Sequence, residues 1–316
     1  MSIRSFSFLV LVLASIECSC QTMPPWSGSG NNPALDKGQI LNAADIDNVP
    51  DLHGDPQNAM LVLFVGGNQF FVMPQLVAGF EQQHPELRGR VFYETLPPGL
   101  LRKQMEQGGA LTLGNFTLRV LPDVYEAGAS VLAELEQRDQ VDHVARYATN
   151  NLEIMVARGN PKNIHGLSDL GGPTVRLSMP NPETEGVARQ IAEALKKAGG
   201  DPLATAVYHT KVSDGSSYLT QIHHRQTPIR VMQGKSDAGV VWTSEVLFQE
   251  KIGNPIEGVK IPAQQNITAT YAAGVVKSAA HRKAAEAWIE YLSSAQAQSA
   301  YEAFGITPVS NEPPVH

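Results

Sequence analysis

Short apolar runs alternate with longer amphipathic stretches over residues 59–304, and this alternation constrains the fold more than any other feature of the chain. The first run, 59–65, is too short for a helix and is closed by a glycine pair, which is typical of a strand buried on both faces of a parallel sheet. In the next stretch, 70–80, apolar residues recur every three or four positions and predict an amphipathic helix. Strands that alternate with helices predict an α/β architecture with a mostly parallel sheet.

The same alternation continues along the chain, with a short helical turn predicted at 166–170. Further strands are predicted at 90–93, 118–121, 152–157, 175–177, 238–242 and 269–276. Further helices are predicted at 100–107, from about 129, and at 183–198, 228–233, 280–293 and 295–304. A chain of 316 residues is long enough to bury one large core or two medium ones.

The charge of the chain excludes one class of partner. Charged residues make up 17% of the sequence and the net charge is −7, whereas a protein that tracks nucleic-acid phosphates needs basic surface. Hydrophobic residues, at 42%, are typical of a globular protein. We therefore expect a folded protein with no nucleic-acid partner.

The first residues, 1–20, are typical of a signal peptide. A positively charged start precedes an apolar run at 6–16, which is too short to span a membrane comfortably. Cys18 and Cys20 stand at the end of this run, either as small residues before a cleavage ahead of Gln21 or with one of them as a lipidated first residue. The chain is therefore expected to be exported to the periplasm or another extracytoplasmic space, free or held by a lipid anchor.

Residues 21–57 are rich in Pro, Gly, Asn, Ser and Asp and show no sustained period, which predicts a flexible leader. The alternative is a loop that packs on the folded body, for instance through Trp26. The sequence leaves both open, and the folded body is expected to begin at residue 58.

Five segments, in order, resemble the periplasmic molybdate/tungstate-binding protein family and its extracellular solute-binding relatives. They are Phe64-Val65-Gly66-Gly67-Asn68, the stretch from Ala157-Arg158-Gly159-Asn160-Pro161 to Leu167-Ser168-Asp169-Leu170, Val175 to Gly199, Gln233-Gly234-Lys235-Ser236-Asp237-Ala238 with Val240-Val241-Trp242-Thr243-Ser244, and the tail ending in Phe304-Gly305-Ile306-Thr307-Pro308. Together they cover residues 59–308, most of the chain after the leader.

The resemblance implies the two-lobed periplasmic-binding-protein fold, or Venus flytrap, in which two strands form the hinge and each lobe is a mostly parallel sheet flanked by helices. It implies that residues 58–150 and 270–316 form the first lobe and 151–269 the second. The chain would cross between the lobes near 149–151 and again near 268–270.

The resemblance also implies a function. A protein of this kind binds a small anion in the cleft between its lobes and delivers it to the permease of an ABC importer. We expect it to be a monomer, to need no cofactor or metal, and not to be an enzyme.

Candidate ligand residues lie where strands are followed by helices, because ligands of α/β sheets bind at the carboxyl ends of strands and free N–H groups at helix N-termini attract anions. Gly67 lets the backbone approach a ligand, and Asn68 either donates to the ligand or caps the helix. The alternative at this turn is an ordinary tight turn. Thr95 lies in the next turn, beside Glu94, which either faces the cleft and repels an oxyanion, or acts as a cap or points outward.

Two later turns complete the candidate site. Asn181 is predicted to cap the helix at 183–198, with the amides of Thr184 and Glu185 facing the cleft; capping without a ligand is the alternative. Trp242 offers an indole N–H and a flat apolar wall, and Thr243 follows it. The molybdate-binding relatives carry a serine near Asn68, a serine-rich loop near residue 95 and a tyrosine at about 242. These departures leave the identity of the anion open, and the tryptophan suits a larger or partly organic ligand.

The sequence leaves room for two other functions, an enzyme and a sensor. The chain has no Gly-x-Ser-x-Gly, His-Glu-x-x-His or phosphate-loop motif, so an enzyme that uses Glu94, Asp123 or Asp214 as acid or base is an alternative without a supporting motif. An exported sensor or colonisation-type protein of the same fold, with an organic or other anionic ligand, is the second alternative. His223 and His224 are adjacent, which makes them a poor metal pair on a helix.

Overall fold

The computed structural model describes residues 51–113, 116–220, 223 and 225–309. The predicted signal peptide with Cys18 and Cys20, and leader residues 21–50, lie outside the described residues. The last residues of the predicted leader, in contrast, pack on the body, because Leu52 and His53 form an edge strand. Among the described residues, no helix combines the length and the apolarity that a membrane crossing requires.

The strands and helices alternate along the chain. The strands are β1 (Leu52–His53), β2 (Leu61–Phe64), β3 (Val91–Glu94), β4 (Ala110–Leu113), β5 (Phe116–Arg119), β6 (Val124–Gly128), β7 (Val141–Ala157), β8 (Leu177–Met179), β9 (Ser217–Leu219), β10 (Ala238–Trp242), β11 (Ile256–Lys260), β12 (Thr268–Val276) and β13 (Thr307–Pro308). The helices are α1 (Met73–Gln83), α2 (Pro98–Glu106), α3 (Ala129–Gln137), α4 (Val187–Thr205), α5 (Lys211–Ser213), α6 (Gln226–Met232), α7 (Thr243–Lys251), α8 (Arg282–Leu292) and α9 (Ala295–Glu302).

One mixed sheet runs through the molecule in the order β1-β3-β2-β6-β12-β7-β10-β8-β9, and β11 and β13 also pair with β7. The β2–β3, β2–β6, β8–β9 and β8–β10 pairs are parallel, as expected for strands that alternate with helices. The pairs made by β7 and β12 are antiparallel. Strands β4 and β5 form a separate hairpin.

Strand β7 is 17 residues long and changes partners along its length. Its residues 141–151 pair with β12, whereas 152–157 pair with β10 and with 256–260 of β11. We refer to β1, β2, β3, β6 and β12 as the first half of the sheet, and to β8, β9, β10 and β11 as the second half. Strand β7 therefore belongs to both.

Each half has helices on both faces and buries its own apolar clusters. The first half packs one cluster around Phe80 and Trp288 and another, on its opposite face, around Phe92 and Tyr125. The second half buries a larger cluster that includes Ile191 of α4, and a smaller one against α6 and α7. Since each fully buried large apolar side chain contributes about 1.5–3 kcal/mol, these clusters hold the helices to the sheet.

The structure departs from the sequence expectation in the region after α2. The third parallel strand is β6, not residues 118–121, of which 118 and 119 lie in strand β5 of the separate hairpin. The sequence of β6 does not predict a buried strand, because it contains the acidic residue Glu126. The fold nevertheless buries this side chain completely. The first part of β7 also escapes sequence analysis, since polar residues occupy many positions between 142 and 151.

Helix α4 starts later than predicted, at Val187 and not at 183. Its regular part ends near the predicted end, because Gly199 and Gly200 take non-helical backbone angles and only a glycine readily adopts the φ of +71° found at Gly200. The last helix, α9, ends before Gly305, whose φ is +70° and whose N–H donates to the backbone oxygen of Glu302, as in a C-terminal cap.

Candidate ligand cleft

A cavity of about 370 Å³ lies between the two halves of the sheet. Both halves supply its walls, and strand β12 supplies two residues at its back. The walls include Gly67, Asn68, Pro98, Gly128, Gly186, Gln190, His223, Trp242, Ala269 and Tyr271.

Three helices begin at this cavity. Pro97 and Pro98 stand at the start of α2, Gly128 is the N-cap of α3, and Gly186 is the N-cap of α4. The start of a helix carries partial positive charge from the helix dipole, and three such ends on one cavity favour an anionic group inside it.

Not every first N–H group of these helices is available to a ligand. Pro98 has no N–H, and the N–H groups of Ala188 and Arg189 donate to the backbone oxygens of Glu185 and Gly186. The attraction for an anion at α2 and α4 therefore comes mainly from the helix dipoles.

A chain of hydrogen bonds crosses the back of the cavity. Asn68 Nδ2 donates to the hydroxyl of Tyr271 over 2.8 Å, and Asn150 Nδ2 donates to the same hydroxyl over 3.3 Å and to Ser244 Oγ over 2.8 Å. The orientation of the Asn150 amide is set by its Oδ1, which accepts from the N–H of Asn151 over 2.9 Å. This network connects the turn after β2, the two long strands and the start of α7.

The Tyr271 hydroxyl is arranged as a hydrogen-bond donor. A phenolic oxygen has one O–H and two acceptor sites, and both acceptor sites face the amides of Asn68 and Asn150. Burial raises the pKa of Tyr271 well above its ordinary value, so the proton is retained at neutral pH. Because Tyr271 lines the cavity, its O–H can donate to a ligand there.

Trp242 forms an apolar wall of the cavity at the end of β10. Its ring meets that of Tyr271 edge to face, with the ring centroids 6.0 Å apart. Its backbone N–H donates to Oε2 of Glu245 over 3.1 Å, which anchors the strand to the first turn of α7. Burial of the side chain, which is 4% exposed, and the contact with Tyr271 hold the indole in place as a flat surface.

The second half also brings charged side chains to the cavity. Glu185 is buried, and its Oε1 accepts from the hydroxyl of Thr220 and from the N–H of Asn181 over 3.1 Å. Arg189 and Glu193 lie on the rim, on the first turns of α4. Both signs of charge are thus present, and hydrogen bonds from neutral groups offset the Glu185 carboxylate.

A second polar cluster adjoins the cavity at His223. The carboxylate of Asp51, at the start of the described chain, pairs with the guanidinium of Arg225 and lies 3.3 Å from Nε2 of His223. Thr95 donates to Asp51 twice, from its N–H to the backbone oxygen over 2.9 Å and from Oγ1 to Oδ1 over 3.3 Å. The ring of His223 packs so closely on Gly67 that any larger residue at Gly67 would collide with it.

The structure brings together three of the seven predicted ligand residues. Gly67, Asn68 and Trp242 line the cavity. Thr95 is completely buried beside it and binds Asp51. Thr243 is the first residue of α7, half-buried and outside the cavity wall.

The turn at 181–186 differs from its predicted form. Asn181 precedes a turn and not a helix, and its Oδ1 accepts from the N–H of Glu183 over 3.0 Å. The amides of Thr184 and Glu185, expected to face the cleft, donate to the backbone oxygen of Asn181. The Thr184 hydroxyl oxygen is buried and has no hydrogen-bond partner among the described residues. Helix α4 is therefore capped by Gly186, and it is this later position that lines the cavity.

Glu94 takes neither of the orientations considered from the sequence. Its side chain is completely buried, and Oε1 accepts from Gln104 Nε2 over 3.1 Å. Burial raises the pKa of Glu94 to about 8; the bond from Gln104 opposes this rise and the charge of Asp51 adds to it. Glu94 is therefore mostly protonated at neutral pH and does not place a full negative charge beside the cleft.

Sequence analysis missed Asp51, His223, Arg225 and Tyr271 at the cleft. The segment 220–225 follows strand β9 and precedes α6, so the same rule that selected the other turns applies to it. The sequence does not predict β9, because this strand is only three residues long and begins with a polar residue. Nothing in the sequence marks Asp51, since its leader position has no apolar period.

The fold is that of a two-lobed solute-binding protein. A solved structure with this fold is the sulfate-binding protein SubI of Mycobacterium tuberculosis, with a TM-score of 0.64 and 18% identity over 80% of this chain and 88% of that one. A family model for bacterial extracellular solute-binding proteins matches residues 61–307, and the chain belongs to this family.

Two relatives extend the comparison at the level of sequence. YvgL of Bacillus subtilis, provisionally named an ABC transporter substrate-binding lipoprotein, is 24% identical over 235 residues, which are 74% of this chain and 81% of YvgL. The molybdate-binding protein ModA of Mycobacterium tuberculosis is 25% identical over 155 residues, 48% of this chain and 52% of ModA. The chain thus spans about half the length of this molybdate-binding relative.

Proposed function

We propose that this chain is the extracytoplasmic binding component of an ABC importer and that it holds a small oxyanion, such as molybdate or tungstate, in the cavity between the halves of its sheet. The observation that carries the proposal is the meeting of three helix N-termini at one cavity. Neutral donors, namely the Tyr271 hydroxyl and the Asn68 amide, supplement them without adding a positive charge.

The proposed mechanism is closure of two lobes around the ligand. We assign 58–150 and 270–316 to one lobe and 151–269 to the other, because β7 changes partners at residue 152 and β12 begins its pairing with β7 at Thr268. A ligand that contacts both lobes binds the closed state better and shifts the population towards it. The ligand itself leaves unchanged, so the chain acts as a carrier and not as an enzyme.

Partner and location follow from the same proposal. In this proposal the signal peptide at 1–20 directs export of the chain. The exported protein is a monomer, either free or anchored through a lipid on Cys18 or Cys20, and it docks on a permease. Mass spectrometry of the mature N-terminus distinguishes cleavage before Gln21 from lipidation. Light scattering measures the molar mass of the purified protein and tests whether it is a monomer.

A second candidate ligand is an organic anion, and the size of the cavity favours it. A tetrahedral oxyanion takes up roughly the space of two or three water molecules, about 60–90 Å³, whereas the cavity has about 370 Å³. The flat wall of Trp242 would then receive the organic part of the ligand. The receptor would serve either an importer or a sensor.

A panel measurement separates the two candidates. The chain from residue 21 onward is titrated with molybdate, tungstate, sulfate and thiosulfate, and in parallel with small carboxylates and phosphate esters, by thermal shift and calorimetry. A ligand that binds only the folded state raises the melting temperature in proportion to the logarithm of its concentration over Kd. Saturable binding of an inorganic oxyanion, with the ligand recovered unchanged, supports the first candidate. A response to organic anions alone replaces it with the second, and no response to any anion contradicts both.

A further inference from the structure

The Asp51 carboxylate occupies a position that resembles a bound anion. Three side chains surround it: the guanidinium of Arg225, the imidazole of His223 with Nε2 at 3.3 Å, and the hydroxyl of Thr95 at 3.3 Å. A guanidinium, an imidazole and a hydroxyl form a donor set that suits a carboxylate or a phosphate. The cluster adjoins the ligand cavity, because His223 is part of the wall of that cavity.

The surrounding groups are built into the folded body. Only 2% of the His223 side chain and 4% of the Arg225 side chain are exposed. The guanidinium of Arg225 also lies over the ring of Phe70, 4.8 Å from its centroid, and Thr95 is completely buried at the end of β3. These groups are held by residues other than Asp51, so their arrangement does not depend on that one carboxylate.

Asp51 reaches the cluster from the edge of the sheet. It precedes β1, where Leu52 is buried in the core and the ring of His53 stacks on that of Tyr93, with the ring centroids 4.4 Å apart. The N–H of Thr95 also donates to the backbone oxygen of Asp51 over 2.9 Å. The backbone is thereby held in place, and the carboxylate leaves the cluster by rotation about its side-chain bonds, without movement of the strand or the core.

The electrostatic environment also suits an anion. Burial acts to raise the pKa of Asp51, but the charges and hydrogen bonds of Arg225 and His223 outweigh it and lower the pKa to about 2. The neighbouring carboxyl, Glu94, has a pKa of about 8 and is mostly neutral at pH 7. The only full negative charge that the cluster holds among the described residues is that of Asp51.

We propose that Thr95, His223 and Arg225 form an anion subsite at the edge of the ligand cleft, and that the Asp51 carboxylate is its built-in occupant, which an external carboxylate or phosphate displaces. The subsite as such is independent of the proposed function. Only the further step, in which the transported anion is the displacing ligand, rests on it. In that step Asp51 acts as an internal competitor that weakens and tunes the affinity of the cleft.

The test removes the internal carboxylate and offers an external one. Asp51→Ala and the wild type are titrated with acetate, formate and inorganic phosphate at constant ionic strength. Asp55→Ala is the matched control, because it removes the same charge four residues away, where Asp55 accepts hydrogen bonds from its exposed neighbours Gln57 and Asn58. We expect saturable binding by Asp51→Ala that is at least tenfold tighter than by the wild type and Asp55→Ala.

Two further variants test the role of Arg225 and control for misfolding. Adding Arg225→Met to Asp51→Ala should abolish the acetate response, since the main cation of the subsite is then gone. Asp51→Asn keeps the size of the side chain and guards against misfolding of the alanine variant; with the competing charge removed, it should still bind phosphate more tightly than the wild type. Equal acetate and phosphate binding by the wild type and both Asp51 variants would overturn the proposal.

The outcomes also separate this proposal from the proposed function. If Asp51→Ala binds acetate but the wild type binds no anion of the panel, the subsite stands and the transport of an anion does not. If the wild type binds an oxyanion and both Asp51 variants bind it more weakly, the Asp51 contact closes the cleft, and the assignment of Asp51 as a competitor is wrong while the function stands.

Discussion

The amide of Asn68 donates to the hydroxyl of Tyr271 over 2.8 Å, although the two residues are 203 positions apart. Asn68 lies in the turn after the first parallel strand and Tyr271 lies on β12, so the bond joins the ligand-facing turn to a strand that passes along the back of the cleft. The resemblance to the molybdate-binding family implies a tyrosine at about residue 242. Here residue 242 is a tryptophan, and the ring of Tyr271 packs against it edge to face.

Replacement of Tyr271 by phenylalanine tests the role of this hydroxyl as a donor. A hydrogen bond to a charged group contributes about 1.5–3 kcal/mol, so we expect Tyr271→Phe to raise the Kd for the anion about 10- to 100-fold. Calorimetry with the best anion of the panel measures the change. Tyr147→Phe is the matched control: its hydroxyl also accepts a buried amide bond, from Gln69, but it lies outside the cavity wall. Equal affinity in both variants would remove Tyr271 from the ligand site.

Alanine at Gly67 should impair the cleft. A Cβ at this position would lie 2.6 Å from Cε1 of His223 and 2.9 Å from the backbone oxygen of Thr95. Relief of such a clash costs about 1–3 kcal/mol and displaces His223 from the cavity wall. We expect a lower melting temperature and a weaker anion affinity for Gly67→Ala. Gly166→Ala, outside the cavity wall, meets no atom within 4 Å of the new Cβ and should retain the wild-type affinity to within a few fold.

The contribution of Trp242 distinguishes an inorganic from an organic ligand. An aromatic contact contributes about 0.5–1.5 kcal/mol beyond the area it buries. We therefore expect Trp242→Phe to weaken the binding of an organic anion by roughly 2- to 10-fold, and to leave that of a bare oxyanion nearly unchanged. Trp288→Phe, at a buried site in the first half of the sheet, controls for the general loss of stability. Identical losses for both ligand classes would mean that Trp242 acts only through packing.

The stability of the protein should fall as the pH rises through neutrality. Burial raises the pKa of Glu126 from 4.5 to about 7, against the opposing effect of the bond from Trp288. Between these values the folded state holds a proton that the unfolded state has released, so stability is fully present below about pH 4.5 and is lost as the pH passes 7. The decline is at most about 1.4 kcal/mol per pH unit from this group.

Urea unfolding between pH 5 and pH 8 measures this effect. Glu126→Gln keeps an acceptor for Trp288 but cannot ionise, so its free energy of unfolding should vary less with pH than that of the wild type. Glu136→Gln, at an exposed position on α3, should follow the wild-type curve. A Glu126→Gln curve parallel to the wild type would show that another group dominates the pH dependence.

The sequence was informative wherever local pattern decides structure. The run of β10, from Ala238 to Trp242, was predicted to the residue because it is apolar, short and followed by a helix start. The membership of Gly67, Asn68 and Trp242 in the cavity wall follows from the rule that ligands bind where strands lead into helices.

Pairing between strands that are far apart in the sequence could not be predicted from local pattern. The first part of β7 contains many polar residues and is stabilised by pairing with β12, more than a hundred residues away. The periodicity of β7 alone does not indicate that partner. Tyr271 and Asp51 reach the cleft through the same kind of distant contact. Glu126 is an extreme case, since its burial depends on a hydrogen bond from Trp288, which the sequence gives no reason to pair with it.

The discontinuity of the first half of the sheet has a consequence for the order of folding. Strands β8 to β11 and the second part of β7 lie in one continuous stretch, 152–260, whereas the first half lacks β12 and α8 until residues 268–292 are available. A chain that emerges N-terminus first can therefore complete its middle portion before its beginning. Because pairing between remote segments is slow, the opening strands remain exposed until late in synthesis. The topology thus makes completion of the first half of the sheet wait for strand β12 and helix α8, which are synthesised late.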